Sequence, residues 1–158
     1  MAAPAATTRA TPGGIPLKDG FRSKITFAAD TDVSLWEKAV TPPGIDGGEG
    51  ISQDTMFNTA WRIMRPRQLK TLTPVSFKAA YDPAVTTQIV ALCNVETTIT
   101  ILWGDGSTVA FYGFLKSVQF GELVEGTQPE VSGEIVPTNW DYANNVEAGP
   151  TIVEVPGS

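Results

Sequence analysis

The groups that most often carry enzyme chemistry are scarce in this chain. It has no histidine, which removes the commonest general base, the usual partner of a serine or cysteine nucleophile, and the commonest zinc ligand. Its one cysteine, Cys93, excludes an internal disulfide framework and a cysteine-clustered zinc site. Cys93 also falls on an apolar helical stripe, where a cysteine packs as a small hydrophobe. Carboxylates occur in loose pairs, Asp30 with Asp32, Asp46 with Glu49 and Glu122 with Glu125. A glycosidase sets two carboxyl groups across a sugar-binding cleft, and nothing in this spacing brings the pairs to one. The glycine-rich run GIDGGEG, residues 44–50, lacks the Gly-Lys-Ser/Thr that opens a phosphate-binding helix, and reads as a contact loop. Asp105 stands in a turn too short for an EF-hand. The segment WRIMRPRQLK, residues 61–70, sets Arg62, Arg65, Arg67 and Lys70 beside Trp61. Cations interleaved with aromatics bind nucleic acid or a protein partner. The acidic pI near 4.5 favours the second use, with carboxylates of another subunit as the counter-charges. Trp36, Trp61, Trp103 and Trp140 offer stacking surfaces for a carbohydrate; the competing expectation places most of them in a core or an interface. The expectation from these residues is no catalysis, no cofactor and no metal.

The 158 residues suit one domain large enough to bury a core without metal or disulfide support. Composition is that of an ordinary globular chain, 42% hydrophobic and 18% charged, with no apolar run long enough to span a bilayer. The opening MAAPAATTRATPGG has no apolar segment of the secretory kind. The net charge of −6 is unevenly spread: residues 1–81 hold ten bases and seven acids, +3, whereas residues 82–158 hold Lys116 against ten acids, −9. Opposed potentials of this kind steer head-to-tail association of copies, or else they solvate separate faces.

The elements that must position these residues read mainly as strands. Residues 1–20, rich in Ala, Thr, Pro and Gly, predict an extended arm. Strands are expected at residues 24–28, where Ile25 and Phe27 alternate with polar neighbours, and at 34–40. Residues 41–59 form a long irregular stretch, since Pro42, Pro43 and four glycines forbid a regular element over its first half. It carries Ile45, Ile51, Met56 and Phe57, which would gain from burial, and so reads as an interaction arm. A weak strand is expected at 61–64 and a stronger one at 69–80, with Pro74 marking an edge or bulge. Asp82-Pro83 predicts a helix over 83–93 capped by Asp82, with Val85, Ile89, Leu92 and Cys93 on one stripe and Asn94 closing it left-handed. Strands at 97–103 and 108–115, the second extended to Gly121, flank a Gly104-Asp105-Gly106-Ser107 hairpin turn. The return strand is apolar on both faces and needs cover on both, from the same fold or a neighbouring subunit. A last strand, residues 130–136, puts Glu130, Ser132 and Glu134 outward and Val131 and Ile135 inward. The tail after Pro137 is expected to lie over the surface or a neighbour. The class is mainly β, a sandwich or barrel with one flanking α-helix, a long inter-strand loop and extended termini. The expected organisation is an arm at 1–20, a body at 21–140 and an extension at 141–158.

Three runs carry a family resemblance: IDGGEGISQDTMFNTAWRIMRPRQLKTLTPVSFKAAYDPA at 45–84, WGDGSTVAFYGFLKS at 103–117 and FGELVEGTQPEVSGEIVPTN at 120–139. The chain resembles, over roughly residues 20–140, the major tail-tube proteins of long-tailed, siphovirus-type bacteriophages. The resemblance implies a β-sandwich flanked by a helix, built into hexameric rings that stack as a hollow tube. It implies that the long loop reaches the adjacent ring, here through Ile45, Asp46, Glu49, Ile51, Met56 and Phe57. Hairpin strands of six subunits would line an acidic channel through which DNA passes without specific binding; alternation and charge nominate Glu122, Glu125, Glu130 and Glu134 as its acids. Arg62, Arg65, Arg67 and Lys70 would meet carboxylates of a neighbouring subunit. The implied partners are other copies of the chain and the tail terminator, tape-measure and distal tail proteins, with no membrane. The implied location is the virion, after synthesis in the host bacterial cytoplasm. Rival readings are another ring protein of the virion (a terminator or head–tail connector), a ligand-binding β-sandwich module, and a carboxylate-only hydrolase.

Overall fold

The computed structural model describes residues 22–154. The expected arm at 1–20 lies outside the described residues, as do residues 155–158. In chain order the elements are β1 (Lys24–Phe27), β2 (Trp36–Thr41), β3 (Ile45–Asp46), β4 (Ile51–Ser52), β5 (Met64–Arg65), β6 (Thr71–Leu72), β7 (Val75–Ala80), α1 (Thr86–Ala91), β8 (Thr97–Leu102), β9 (Thr108–Phe120), β10 (Glu130–Pro137), β11 (Trp140–Asp141), β12 (Val146–Glu147) and β13 (Thr151–Val153). The expected class therefore holds: mainly β with one flanking helix.

Period-two alternation builds one antiparallel sheet in the order β1-β8-β9-β10-β7-β2. β13 pairs residues 108–110 of β9 and β10 pairs residues 113–120, so the two share one edge of that long strand. Inward positions of successive strands meet in a single core: Ile25 and Phe27, Val75 and Phe77, Ile99 and Ile101, Val109 and Phe111, Val131 and Ile135 are all buried. The sheet curls on itself, and its two end strands are tied where Ile25 N–H donates to Glu37 Oε1 at 2.9 Å. Helix α1 closes one side with Ile89 and Leu92, while Val85 and Cys93 pack against the core's margin. Gly133 stands opposite Phe77 in register, and a Cβ there would lie 2.5 Å from the ring. Its missing side chain is what lets the phenyl group lie across β10.

The hairpin of β8 and β9 matches its expectation closely. Trp103 N–H donates to Ser107 O at 2.8 Å, Gly106 N–H to Trp103 O at 3.0 Å, and Gly106 takes φ 95°. Asn94 closes the helical region at φ 61°, as its left-handed tolerance suggested. The second apolar face of β9, with Ala110, Tyr112 and Phe114, is half-buried. The chain's own tail runs along the edge of this strand: Thr138 N–H donates to Tyr112 O at 2.8 Å, β11 and β12 form a small hairpin, and β13 joins β9.

Four expectations are corrected. Residues 41–59 are not irregular throughout: β3 pairs with β6 and β4 with β5, so they form the outgoing limb of a long hairpin. Glycine and proline confine pairing to the short stretches between them. The strand expected at 61–64 starts only at its last residue, as β5, and the one expected at 69–80 is broken into β6 and β7. At that break Thr73 N–H donates to Gly44 O at 2.8 Å and Thr73 Oγ1 accepts from Gly44 N–H at 2.7 Å. The helix expected at 83–93 spans only Thr86–Ala91, with Val85 at its N-cap and no side-chain cap. Asp82 instead folds a turn ahead of it, Oδ1 accepting from Ala84 N–H at 2.9 Å and its carbonyl from the Thr86 hydroxyl at 2.8 Å. An acid next to proline satisfies a local turn as readily as a helix start.

Candidate assembly interface

The hairpin arm, residues 42–74, leaves the sheet between β2 and β7. Its order comes from its own polar groups. On the outgoing limb Asp46 Oδ1 accepts from Gly48 N–H at 2.8 Å, and Gly48 turns the chain at φ 77°. Across the limbs Arg67 Nε donates to Glu49 O at 2.8 Å, Arg65 Nε to Gln53 Oε1 at 3.0 Å, and Gln53 N–H to Ile63 O at 2.9 Å. At the tip Asp54 Oδ1 accepts from Ile63 N–H at 2.7 Å and from Asn58 Nδ2 at 3.0 Å, and Asn58 Nδ2 also reaches Trp61 O at 3.0 Å. Thr55 N–H donates to Asn58 Oδ1 at 3.2 Å. The tip is thus folded before it meets anything.

Apart from Leu72, which is buried at its base, the large apolar side chains of this arm face solvent. Met56 is 100% exposed, Phe57 93% and Trp61 85%, with Ile45, Ile51, Ile63, Met64 and Leu69 also exposed. Of the residues expected to contact a neighbouring ring, Ile45 and Asp46 lie on β3, Ile51 on β4, Glu49 between them, and Met56 and Phe57 at the tip. The structure also brings Arg62, Arg65, Arg67 and Lys70 to the returning limb. Arg65 and Arg67 fasten that limb to its partner, whereas Arg62 and Lys70 make no hydrogen bond or ion pair with another described residue.

The four nominated acids fall in two places. Glu130 and Glu134 lie on β10's outer face, each beside a lysine: Lys38 Nζ to Glu130 Oε1 is 2.9 Å and Lys116 Nζ to Glu134 Oε2 is 3.6 Å. The Lys38 hydrogen bond, helped by its charge, holds the Glu130 carboxyl below the ordinary carboxylate range. Glu122 and Glu125 lie instead in the exposed turn between β9 and β10, flanking Leu123 and Val124. Lys38 and Glu130 come from the opposed halves of the sequence and meet inside one subunit.

A second uncovered apolar surface was missed by reading along the chain. At the sheet's other end Tyr81 packs edge-on against Phe120 with centroids 6.2 Å apart, and Trp36 Nε1 donates to Asp82 Oδ2 at 3.2 Å. Trp36 is 67% exposed and Leu123 79%, and a shallow groove between Trp36 and Phe120 is floored by Leu35, Val85 and Val118. Its only sequence signal was the Leu123-Val124 pair set between glutamates in a turn. Of the tryptophans expected in core or interface, Trp103 alone packs against the core; Trp36, Trp61 and Trp140 are exposed. Among the described residues no cluster of three His, Cys, Asp or Glu side chains could hold a metal ion, and no helix is long and apolar enough to cross a membrane.

No protein-family model matches this chain, and no curated protein matches it. Solved structures do. A chain of the virion of a native gene transfer agent particle has a TM-score of 0.60 at 9% identity, covering 87% of this chain and 100% of that one. A chain of the tail of an empty gene transfer agent particle, refined helically with C6 symmetry, gives 0.60 at 8% identity with the same coverages, 87% and 100%. A chain of the anti-feeding prophage baseplate, 6-fold symmetrised, gives 0.56 at 8% identity, covering 85% of this chain and 92% of that one. At such identities the likeness shows a shared fold.

Proposed function

We propose that this chain is the structural subunit of a phage tail tube, assembling into hexameric rings that stack into a channel for DNA. The observation that carries the reading is the arm. It is a hairpin held by its own hydrogen bonds with all its large apolar groups but Leu72 in solvent, on a fold shared with chains of tail particles. Exposed apolar clusters of this kind mark contact surfaces, and the C6 and 6-fold symmetries of two neighbouring particles support six subunits to a ring.

Assembly then follows from two kinds of contact. Rotational symmetry closes the ring and satisfies sheet edges that would otherwise recruit strands without limit. The arm makes a heterologous contact between rings, which repeats without closing and builds a filament. Glu130 and Glu134 face the channel, where their ties to Lys38 and Lys116 leave few free cations to hold DNA phosphates. Tail terminator, tape-measure and distal tail proteins would meet the ends and interior of such a tube, in the virion.

Electron microscopy of the concentrated, purified protein tests this. The expected result is long tubes of uniform width with sixfold end views. Rings that never stack would move the protein to a terminator or connector role, and a monomer at every concentration would end the assembly reading.

A further inference from the structure

The arm of one copy needs a receptor on the next, and the sheet register locates a candidate. β2 and β7 both run between the arm and the patch around Trp36 and Phe120. The arm joins them beside the Thr41–Ser76 pair, whereas Trp36 pairs with Ala80 at the far end. Glu130 also pairs with Ala80, and Phe120 with Val131, so the β9–β10 turn carrying Leu123 and Val124 lies at that same far end. Arm and patch therefore occupy opposite ends of the same strands, about six residues or roughly 20 Å apart. A copy displaced along the strand direction brings its arm toward its neighbour's patch.

The two surfaces complement each other in chemistry. The tip offers Met56, Phe57 and Trp61, with Arg62, which pairs with no described residue, beside them. The patch offers Trp36, Tyr81, Phe120, Leu123 and Val124, all exposed. On its Phe120–Leu123 side the rim is acidic, with Asp82, Glu122 and Glu125, and residues 117–154 contain no lysine or arginine, whereas Arg22, Lys24 and Lys38 lie on the far side of Trp36. Both surfaces are held in advance, the tip by Asp54 and Asn58, the patch by the Tyr81–Phe120 and Trp36–Asp82 contacts. Little ordering cost remains at docking, and aromatic, Met and Arg groups are the types that dominate such contacts.

We propose that the arm tip of one copy docks on the Trp36–Phe120–Leu123 patch of a second copy, with Arg62 set against Glu122 and Glu125. This rests on the tube reading for its repetition, but the contact itself needs only two molecules. It places Glu122 and Glu125 at the junction between rings instead of in the channel.

Two experiments separate the contact from the tube. In a mixture of F57C and L123C proteins under mild oxidation, a cross-linked dimer containing one of each is expected, well above either variant alone, where Cys93 supplies the background. L123D/V124D protein alters only an exposed turn, so it should keep the wild-type melting curve yet lose about tenfold or more of its sedimentable assembly. Wild-type tubes with no mixed dimer and full assembly of L123D/V124D would overturn the contact while leaving the tube intact. A mixed dimer from a protein that forms no tubes would uphold the contact and remove the tube reading.

Discussion

Asp141 shows how one residue settles a part of the chain that periodicity leaves open. It is the one buried charged residue among those described, 7% exposed. Its carboxylate accepts from Asn144 Nδ2 at 2.7 Å, Ala143 N–H at 3.0 Å and Asn144 N–H at 3.4 Å. The Asn144 side chain is the main cause that holds its pKa below the usual aspartate value, and these donors outweigh the opposing effect of burial. Burial first, and the nearby Asp141 carboxylate second, push the Tyr112 hydroxyl pKa up. A depressed carboxyl pKa stabilises the fold above the unfolded value near ~3.9 and loses that stabilisation as pH falls through the folded one. D141N is therefore expected to melt below wild type at neutral pH, with the gap narrowing as pH drops beneath about 4. Thermal melts across pH 3–7 check it; a gap that stays constant would show that the charge contributes nothing. The residue-level chemistry here is structural: it closes the turn that joins β11 to β12.

At the scale of elements the arm and the sheet are separable. The arm's exposed apolar groups contribute little to the core, and its base, where β3 pairs with β6 at Ile45–Leu72 and Asp46–Thr71 and Leu72 is buried, belongs to the body. Replacing residues 47–70 with Asn-Gly, a two-residue turn suited to a hairpin, is expected to leave a folded subunit with a melting temperature within a few degrees of wild type. The same protein should form no long tubes by electron microscopy. Normal tubes from the shortened chain would remove the arm from the assembly mechanism. Removing one limb alone would be a poorer test, because the returning limb would keep Arg62 and Trp61 but lose the Gln53, Glu49 and Asp54 partners that hold it.

For the whole molecule the uneven charge matters through where it ends up. Part of it is spent inside the subunit at Lys38–Glu130. Among the described residues the basic returning limb and the acidic turn at the opposite end of the strands form no salt bridge. Such a pair steers encounter more than it holds the product, and salt screens it over about 10 Å at 0.1 M. Raising salt from about 0.05 to about 0.5 M should slow tube growth several-fold by light scattering, while formed tubes persist through their apolar contacts. Growth indifferent to salt would mean that Arg62 and the acidic rim do not guide docking.

The sequence by itself determined the strands with one inward face, the Gly104–Ser107 turn, the left-handed Asn94 and the mainly β class, because alternation and turn chemistry are local. It also marked Met56 and Phe57 as apolar groups stranded in a polar, glycine-rich stretch. Tertiary structure alone decided that this stretch is half of a hairpin, since its pairing with residues 64–72 joins segments that carry no mutual signal along the chain. It shortened the helix, because Asp82 found a nearer partner. It also gathered Trp36, Tyr81, Phe120 and Leu123, scattered over almost ninety residues, at one sheet end. Register between distant strands creates that surface, and no period within a single strand encodes it.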